Sequence, residues 1–455
     1  MSDELVSVVS DDNDFLNDLE ENEENCNDVA NDDEIVNVFS KQMPPNASDP
    51  KYVDSLIASQ MAMLSVVDRE KAYMDVHGMP ELVQETPELI QESLLLLQDE
   101  IDLLSAKEAY NIAERLDPDY VRDRDFCLAF LRCEKFDWQK AAMRIIRHFQ
   151  TKLDLFGKDK LAMDITQDDL DMDDMDAVYS GAGHFLNACD SGGRIINFLA
   201  GVPKVYETDA VLRRAFYNIM VAFRHNAEVQ RRGAVIVGWN AGGVKGTSWD
   251  NADANWKLPK LHEATPMRVS AAHGCYTDED WKEKLAVITM GCNEEIQVRL
   301  RVQHGTVQEC LQHLRRHGID PACIPVNEQG ETTDHLEYCL RLEQQRKHER
   351  LNYPLRHSIG VPFPQDVLLG KGLPFQNHPG NTNFRQVVVD RYKEYEKAQK
   401  GLKRAIAKEI VDTIRGNGGL FLKQDGKKWV PANDEVSVLK VSAAFRTLRL
   451  KGGVK

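Results

Sequence analysis

Long apolar runs and paired cysteines are both missing from this sequence of 455 residues. No stretch approaches the roughly 20 consecutive apolar residues that a membrane-spanning helix needs. The first residues, Met1 to Glu4, are acidic, and no apolar core of signal-peptide length follows them, so we expect neither membrane insertion nor secretion. The nine cysteines, scattered from Cys26 to Cys339 without a Cys-x-x-Cys pair, indicate reduced thiols. We therefore expect a cytoplasmic protein that can visit the nucleus or associate peripherally with a membrane.

Signatures of catalysis are also missing. Ser191 and His273 lie in segments similar to the serine and histidine motifs of trypsin-like proteases, but their order along the chain is reversed. Cys310, His313 and His317 share one helical face and could bind zinc, yet no fourth ligand is evident, and we interpret them as packing residues. We identify no catalytic residue, no metal site and no cofactor motif, and we predict that the protein is not an enzyme.

Aromatic residues are scarce at the start of the chain, where one sign of charge dominates. Residues 1–50 carry a net charge of −14, with Lys41 as the single base and Phe15 as the only aromatic residue before position 38. Such a segment cannot bury enough apolar surface to offset its ordering entropy, so we predict a disordered acidic tail over residues 1–50. Residues 351–455 carry +10, and the tail could fold back onto them as an autoinhibitory segment.

The middle of the chain changes from a helical to an alternating pattern. From about Pro50 to Leu155 the apolar residues recur at helical spacing, which predicts a helical region over residues 51–160. Strands are then predicted over Arg194 to Ala200, Ala234 to Trp239, Arg268 to Cys275 and Ile296 to His304. Helices between them, over Asp209 to Arg231 and Asp278 to Met290, imply parallel connections. The predicted fold is α/β, with a helical preface followed by a mixed or parallel sheet with flanking helices.

Several segments of this region are similar to one known family. Asp125 to Asp137 reads DFCLAFLRCEKFD and resembles the "LxRFLRARKFD" helix that introduces Sec14-like (CRAL-TRIO) lipid-binding domains. Downstream, Asp190 to Arg194 resembles the family's D-x-x-G-R, Arg232 to Val237 its central strand, and Thr265 to Arg268 its "YPxR" step. The resemblance covers about residues 85–330, and its core would be a CRAL-TRIO-like domain over residues 177–330.

The resemblance implies a carrier whose sheet forms the floor of an apolar cavity, closed by a mobile helix near Trp281 to Met290. An acyl chain gains about 0.8 kcal/mol per CH₂ removed from water, so such a cavity would hold a phospholipid or another lipophile. By this resemblance the lipid-binding residues would be Arg194, Val235, Val237, Arg268, Trp281, Leu285, Ile288 and Met290. Gly238 and Trp239 stand where the family usually has an aspartate, which leaves open an adaptor that has lost its cavity.

A second, basic domain is predicted at the C-terminal end. A charged helix and a linker over residues 331–362, with Pro354 and Pro364 near its end, precede it. Residues 363–452 then predict helices around a hairpin at Asp425-Gly426, which gives a small basic α+β domain. The helix, hairpin, helix order is like that of a winged DNA-binding module.

This second domain resembles an uncharacterised domain that recurs in algal proteins. Its signature, D-V-L-x-G-[KR], then N-x-P-G-N, then K-V-S-x-x-F-R-x-x-R, is matched at Asp366 to Lys371, Asn377 to Asn381 and Lys440 to Arg449. The resemblance implies no known activity. The positive charge predicts an anionic membrane surface or a nucleic acid as partner. The candidate anion-binding residues are Lys371, His378, Arg385, Lys427, Lys428, Lys440, Arg446 and Arg449.

Together these patterns favour one function over an alternative. The leading hypothesis is a protein that binds, and can transfer between membranes, a phospholipid or other lipophile such as phosphatidylinositol, with the basic domain recruiting an anionic surface. The alternative is a nucleic-acid-binding regulator whose α/β region acts as a lipid sensor or a scaffold. Salt-sensitive binding to duplex DNA without binding to anionic liposomes would favour the alternative.

Overall fold

A computed structural model describes residues 36–242, 248–278, 281–450 and residue 452. Most of the predicted disordered tail, residues 1–35, lies outside the described residues. The remainder of that predicted tail packs on the folded part of the chain. Val38 is buried, and the indole Nε1 of Trp256 donates a hydrogen bond to the carbonyl oxygen of Lys41 at 3.0 Å. The packed chain therefore starts earlier than residue 51, because a short apolar segment after the acidic run finds a place in the core.

The helical preface consists of seven helices among the described residues. They are α1 (Pro50–Met63), α2 (Val66–Val76), α3 (Pro87–Leu103), α4 (Glu108–Leu116), α5 (Pro118–Val121), α6 (Arg124–Cys133) and α7 (Trp138–Phe156). The side chains of Thr86, Asp123 and Asp137 cap the first turns of α3, α6 and α7. Phe126 and Phe130 of α6 are fully buried against Phe149 of α7, so these helices form one apolar core.

A five-stranded sheet follows the preface, with strands β1 (Gly183–Cys189), β2 (Ile195–Ala200), β3 (Ala234–Asn240), β4 (Val269–Tyr276) and β5 (Leu300–His304) in that spatial order. The strand β1 pairs with β2 in antiparallel fashion, and β2 to β5 are parallel. The helices preceding and linking the strands are α8 (Met172–Tyr179), α9 (Thr208–Phe223), α10 (Ala227–Arg232), α11 (Ala252–Leu261), α12 (Trp281–Gly291) and α13 (Glu294–Gln297). The predicted α/β class with a mixed sheet and flanking helices is confirmed.

Two details of the sheet differ from the sequence-based prediction. The strand β1 was not predicted, because its residues show no clean alternation between apolar and polar side chains. The fourth predicted strand is shorter than Ile296 to His304, since Asn293 accepts a hydrogen bond from the backbone of Ile296 at 3.0 Å and starts the helix α13 there. The remaining strand, β5, lies at the edge of the sheet, as its polar side predicted.

Helices cover both faces of the sheet. One face packs against α9, α11 and α12. The other face packs against α2 and α14 (Val307–Arg316), with Val235 and Val237 of β3 in contact with a core that includes Cys310 and Leu314. Because β2 to β4 are buried on both faces, their sequences are almost continuously apolar, which is typical of parallel strands.

The C-terminal part follows the long helix α15 (His335–Asn352). It contains β6 (Val367–Leu369), α16 (Leu373–Asn377), α17 (Pro379–Asp390), α18 (Tyr392–Lys397), α19 (Lys400–Gly416), β7 (Phe421–Asp425), β8 (Lys428–Pro431) and α20 (Asp434–Leu450). The strand β7 pairs with β6 in parallel and with β8 as the predicted hairpin. The predicted small α+β domain is confirmed. We call residues 363–450 the C-terminal module.

A buried ionic cluster joins the C-terminal module to the α/β region. Arg350 of α15 donates to Asp168 at 2.8 Å and to Asp366 at 2.6 Å, so one guanidinium links a carboxylate from each part. Arg346 donates to the same Asp168 at 2.8 Å. Both guanidinium groups lie over the ring of Phe363, at 5.1 and 5.3 Å from its centroid. These charges are removed from water, and each is compensated within the cluster.

None of the helices in the described part of the chain is both long enough and apolar enough to span a membrane.

Candidate functional site

An apolar cavity lies between the sheet and the helix α12. Its floor is formed by β3, β4 and β5, its roof by α12, and one wall by α11. The principal lining residues are Ile236, Leu258, Ala272, Trp281, Leu285, Ile288 and Leu300. Its volume is about 70 Å³, which is well below the ~300–1,000 Å³ of pockets that hold drug-sized ligands. In this conformation α12 therefore closes the cavity over a small apolar space.

Two glycines explain why there is space under α12. Gly238 of β3 and Gly274 of β4 are direct partners in neighbouring strands. A Cβ atom at Gly238 would meet only a backbone oxygen at 3.8 Å, and one at Gly274 would touch Leu285 at 3.4 Å. Neither glycine adopts a positive φ, so the backbone conformation does not require glycine at these positions. Their effect is to remove two side chains from the floor at the point where α12 crosses the sheet.

The helix α12 is held mainly by apolar contacts. Trp281, in its first turn, packs edge-to-face on Trp249 with ring centroids 5.2 Å apart. A Cβ atom at Gly291, its last residue, would lie 2.6 Å from the carbonyl oxygen of Trp256, so the end of α12 approaches α11 closely. Lys284 forms an ion pair with Asp250 on the outer side. The roof of the cavity is thus a helix that places Trp281, Leu285 and Ile288 over the sheet and also packs against α11 and α1.

One buried polar atom borders the cavity. The side chain of His262 is buried, and its Nδ1 finds no hydrogen-bond partner among the described residues. Burial, together with the nearby Arg144, lowers the pKa of His262 to about 3, so the imidazole is neutral at physiological pH. A neutral imidazole can donate or accept one hydrogen bond, which makes His262 the candidate contact for a polar atom of an otherwise apolar ligand.

Three of the eight predicted lipid-binding residues line this cavity, namely Trp281, Leu285 and Ile288. Met290, on the same helix, is half-buried and does not belong to the lining. Val235 and Val237 point to the opposite face of the sheet, while their neighbour Ile236 lines the cavity. The alternation along β3 could not be assigned to a face from the sequence, because both faces of this strand are apolar.

The two predicted cations lie elsewhere and are engaged in the fold. Arg194 is fully buried and pairs with Asp190, with Nε to Oδ2 at 2.7 Å and Nη2 to Oδ2 at 2.5 Å. Arg268 borders a separate groove near α1 and donates a hydrogen bond to the carbonyl oxygen of Arg231. The structure therefore does not bring these two cations to the cavity under α12.

The signature residues of the C-terminal module have structural roles. The carboxylate of Asp366 accepts hydrogen bonds from the backbone of Phe363 at 2.6 Å and of Leu420 at 2.8 Å. The Asn381 amide bridges the chain by accepting from the backbone of Leu368 at 2.6 Å and donating to its carbonyl oxygen at 3.0 Å. At Gly380 a Cβ atom would lie 2.1 Å from the carbonyl oxygen of Asp366. These residues fix the start of the module rather than presenting a reactive group.

The C-terminal module is the part of the chain for which a match to a known protein family is found. Residues 366–447 match the model of a family described as a domain of unknown function, DUF6824. No curated protein matches the chain. The matched range lies within the residues 363–452 predicted for this domain, and it includes every fixed residue of the predicted signature except the last, Arg449.

A groove in the C-terminal module brings two of its predicted cations together. It is open, has a volume of about 330 Å³, and runs between α17 and α20. Arg385 and Lys440 border it, and Phe375, Phe384 and Val388 provide apolar surface. Burial and the charge of Arg385 lower the pKa of Lys440. Two cations beside an apolar groove suit an anionic, partly apolar ligand.

The other predicted anion-binding residues are dispersed over the module. Lys371, Lys427, Lys428 and Arg446 are exposed. Arg449 is paired with Glu396 at 3.0 Å, so its charge is compensated. His378 is half-buried, and burial lowers its pKa. The sequence identified the charge of the module correctly, but which cations share a groove depends on how α17 packs against α20.

Proposed function

We propose that the α/β region binds one lipophilic molecule, a phospholipid or a related lipid, between the sheet and α12. The observation that carries this proposal is the apolar cavity above the paired glycines Gly238 and Gly274. An empty floor of this kind costs packing energy in a protein core, so it is better accounted for by a ligand than by stability. The resemblance to Sec14-like domains, which places a mobile helix at α12, supports the same function.

The closed cavity is too small for a lipid, so binding requires α12 to move. An acyl chain needs much more than the present 70 Å³, so the ligand enters only if α12 swings away from the sheet. The contacts that α12 would break over the cavity are chiefly the apolar ones of Trp281 and Leu285, and the ion pair of Lys284 with Asp250 would open with them. The acyl chain would replace these contacts at about 0.8 kcal/mol per buried CH₂, which offsets the cost of opening.

The test is lipid uptake by the full chain and by a variant with a filled floor. Gly238→Val adds a side chain where only a backbone oxygen lies within 4 Å, and valine is favoured in strands. We expect the wild-type protein to carry one lipid in native mass spectrometry after incubation with phosphatidylcholine vesicles that contain phosphatidylinositol. Overpacking of the bound state costs about 1–3 kcal/mol, so the variant should bind roughly 5- to 140-fold more weakly.

Glu283→Ala is the matched control, because Glu283 is exposed on the outer side of the same helix. It should bind lipid like the wild type, and all three proteins should unfold at similar urea concentrations. A wild-type chain that acquires no lipid would contradict the proposal. So would equal uptake by the Gly238→Val variant, since the lipid would then lie elsewhere.

We further propose that the C-terminal module contacts an anionic membrane surface through the groove bordered by Arg385 and Lys440. The apolar floor of this groove favours a lipid head group with adjoining acyl carbons over a nucleic acid backbone, which lacks apolar chains. Full-length protein should bind phosphatidylserine vesicles in low salt, and the Arg385→Gln/Lys440→Gln variant should bind them more weakly.

Arg391→Gln/Arg449→Gln is the control, because both of these arginines are paired with glutamates on the surface of the same module. This control removes as much positive charge from the module as the Arg385→Gln/Lys440→Gln variant does. If both double variants lose affinity equally, the groove has no special role. If duplex DNA rather than vesicles is bound with the stronger dependence on Arg385 and Lys440, the nucleic-acid hypothesis is favoured.

A further inference from the structure

Three histidines meet on the face of the sheet opposite to the cavity. His273 of β4 lies beside His313 of α14 and His317, the residue that follows α14, and one ring nitrogen from each lies within 4.8 Å of the others. The ring of His317 lies 4.8 Å from that of His273 and 4.5 Å from that of His313, between centroids. We call these three residues the histidine triad. The triad combines His313 near the end of α14 and His317 directly after it with His273, which lies 40 positions before His313.

The spacing of the triad is that of metal ligands. His273 Nδ1 and His313 Nε2 are 3.4 Å apart, which is long for a hydrogen bond between nitrogens. It is close to the separation of about 3.3 Å between two nitrogens bound to one tetrahedral zinc ion, given Zn–N bonds of about 2.0–2.1 Å. His313 and His317 are four residues apart, as are paired histidine ligands in helical zinc sites, and His317 is the residue that directly follows α14.

The surroundings of the triad orient His317 and leave His273 with few partners. His317 Nδ1 bonds to the carbonyl oxygen of His313 at 2.9 Å, which leaves Nε2 to face the other rings. His273 is buried, and among the described residues its Nδ1 makes only the 3.4 Å contact with His313 Nε2, while its Nε2, on the other side of the ring, finds no hydrogen-bond partner. The ring of His77, at the end of α2, lies 5.1 Å from that of His317 on the outer side. A buried imidazole whose Nδ1 makes only one long contact is a costly arrangement, and a metal ion bound at Nδ1 would remove that part of the cost.

We propose that the histidine triad is a binding site for a transition-metal dication, with zinc as the preferred ion. Three neutral imidazoles suit zinc, copper or nickel better than the oxygen-seeking calcium and magnesium ions. The ion needs His317 to close on the other two rings by about 1.5 Å if all Zn–N bonds are to be about 2.0–2.1 Å. His317 can make this movement because it is only half-buried and follows the last residue of α14.

The charges around the triad determine the fourth ligand. Arg301 and Arg316 are near enough to act electrostatically on His313, and Arg194 and Arg301 act on His273. The three imidazoles bring no negative charge of their own. A dication in this positive environment should therefore complete its shell with a small anion, such as chloride or hydroxide, in the open fourth position.

From the sequence alone, Cys310, His313 and His317 share one helical face, and we interpret them as packing residues. In the structure Cys310 turns away, with its thiol directed at the carbonyl oxygen of Gln303 at 3.8 Å. Its place is taken by His273, which the sequence could not connect with α14. The pairing of β4 with its neighbours and the packing of α14 on the sheet bring these residues together.

The experiment titrates untagged, chelator-treated full-length protein with Co²⁺, whose visible absorption reports tetrahedral coordination, and then displaces the Co²⁺ with Zn²⁺. We expect one ion per chain. Loss of partners that only support a ligand already weakens metal binding by about 10–100-fold, so His313→Ala and His317→Ala should weaken it by more than about 100-fold. The matched control is His357→Ala, which removes an exposed histidine and should bind as the wild type does.

Folding of each variant is checked by circular dichroism and by its thermal midpoint. His317→Ala removes a half-buried side chain beyond the end of the helix, so it keeps the test decisive even if His313→Ala does not fold. Zinc should raise the thermal midpoint of the wild type and not that of His317→Ala. Absence of stoichiometric Co²⁺ and Zn²⁺ binding by the wild type would overturn the proposal. Equal affinity in the wild type and in His317→Ala would also overturn it.

Discussion

Replacement of Arg350 by alanine should loosen the C-terminal module from the α/β region. The Arg350 guanidinium contacts the carboxylates of Asp168 and Asp366, and its side chain is only 4% exposed. Asp366 is fully buried and Asp168 almost so. Arg350→Ala would leave Asp366 without its cation and bring two buried carboxylates face to face with only Arg346 to compensate them. Removing one partner of a buried ion pair typically costs about 3–5 kcal/mol.

The effect of Arg350→Ala can be measured at the backbone amides that are hydrogen-bonded to Asp366. Asp366 accepts hydrogen bonds from the backbone amides of Phe363 and Leu420, so exchange of these two amides reports local opening. A loss of about 3–5 kcal/mol corresponds to a decrease in protection of roughly 10²-fold or more, at 1.4 kcal/mol per factor of ten. Hydrogen exchange of peptides that contain these amides, followed by mass spectrometry, provides the measurement.

Arg391→Ala is the matched control for this prediction. Arg391 also contacts two carboxylates, those of Glu394 and Glu409, but both glutamates are more than half exposed. Exposed pairs contribute about 0–1 kcal/mol, so this variant should exchange nearly as the wild type does. The reasoning is refuted if Arg350→Ala reduces protection by less than tenfold, or if both variants reduce it equally, because burial would then have no bearing on the strength of these ion pairs.

Two further predictions concern buried groups whose surroundings are well defined. Burial lowers the pKa of His148 from 6.5 to about 3, so the unfolded state binds the proton first and stability falls as the pH decreases from 6.5 towards 3. The free energy of unfolding is measured in urea at several pH values. In His148→Phe its slope against pH should be smaller than in the wild type by up to about 1.4 kcal/mol per pH unit, and an unchanged slope would contradict this. Gly380→Ala should lower the urea midpoint, since its Cβ would lie 2.1 Å from a backbone oxygen and overpacking costs about 1–3 kcal/mol. Gly401→Ala, with nothing within 4 Å of its Cβ in a helix, should raise the midpoint instead, and equal shifts in both variants would count against the steric argument.

The architecture could be predicted from local patterns in the sequence. The apolar runs at β2, β3 and β4 and the helices between them were sufficient for the α/β class, because parallel strands buried on both faces have a distinctive composition. The Asp425-Gly426 turn likewise predicted the hairpin of the C-terminal module. The predicted ends of helices and strands were less accurate. Ile296, predicted to start a strand, lies in a helical turn, because a single capping residue decides whether such a turn precedes the strand.

The candidate site depended on information that a single sequence does not contain. Trp281 and Leu285 were identified because the resemblance placed a helix there, but the face of β3 that the cavity uses was not. The aligned pair of Gly238 and Gly274 was the missing signal. Each glycine is visible in the sequence, yet their alignment depends on the register between β3 and β4, which is set by tertiary packing. The meeting of His273 with α14 was unpredictable for the same reason.

The position of Asp366 also bears on where the C-terminal module can be cut from the chain. The family match spans residues 366–447, but the cation that neutralises the first of these residues belongs to α15, outside the match. In a fragment that begins after Arg350, the carboxylate of Asp366 would have no cation to pair with at the start of the first strand. A fragment for isolated study should therefore begin before His335, so that α15 stays with the module. By this contact, the structural unit begins about 30 residues upstream of the boundary that the family pattern defines.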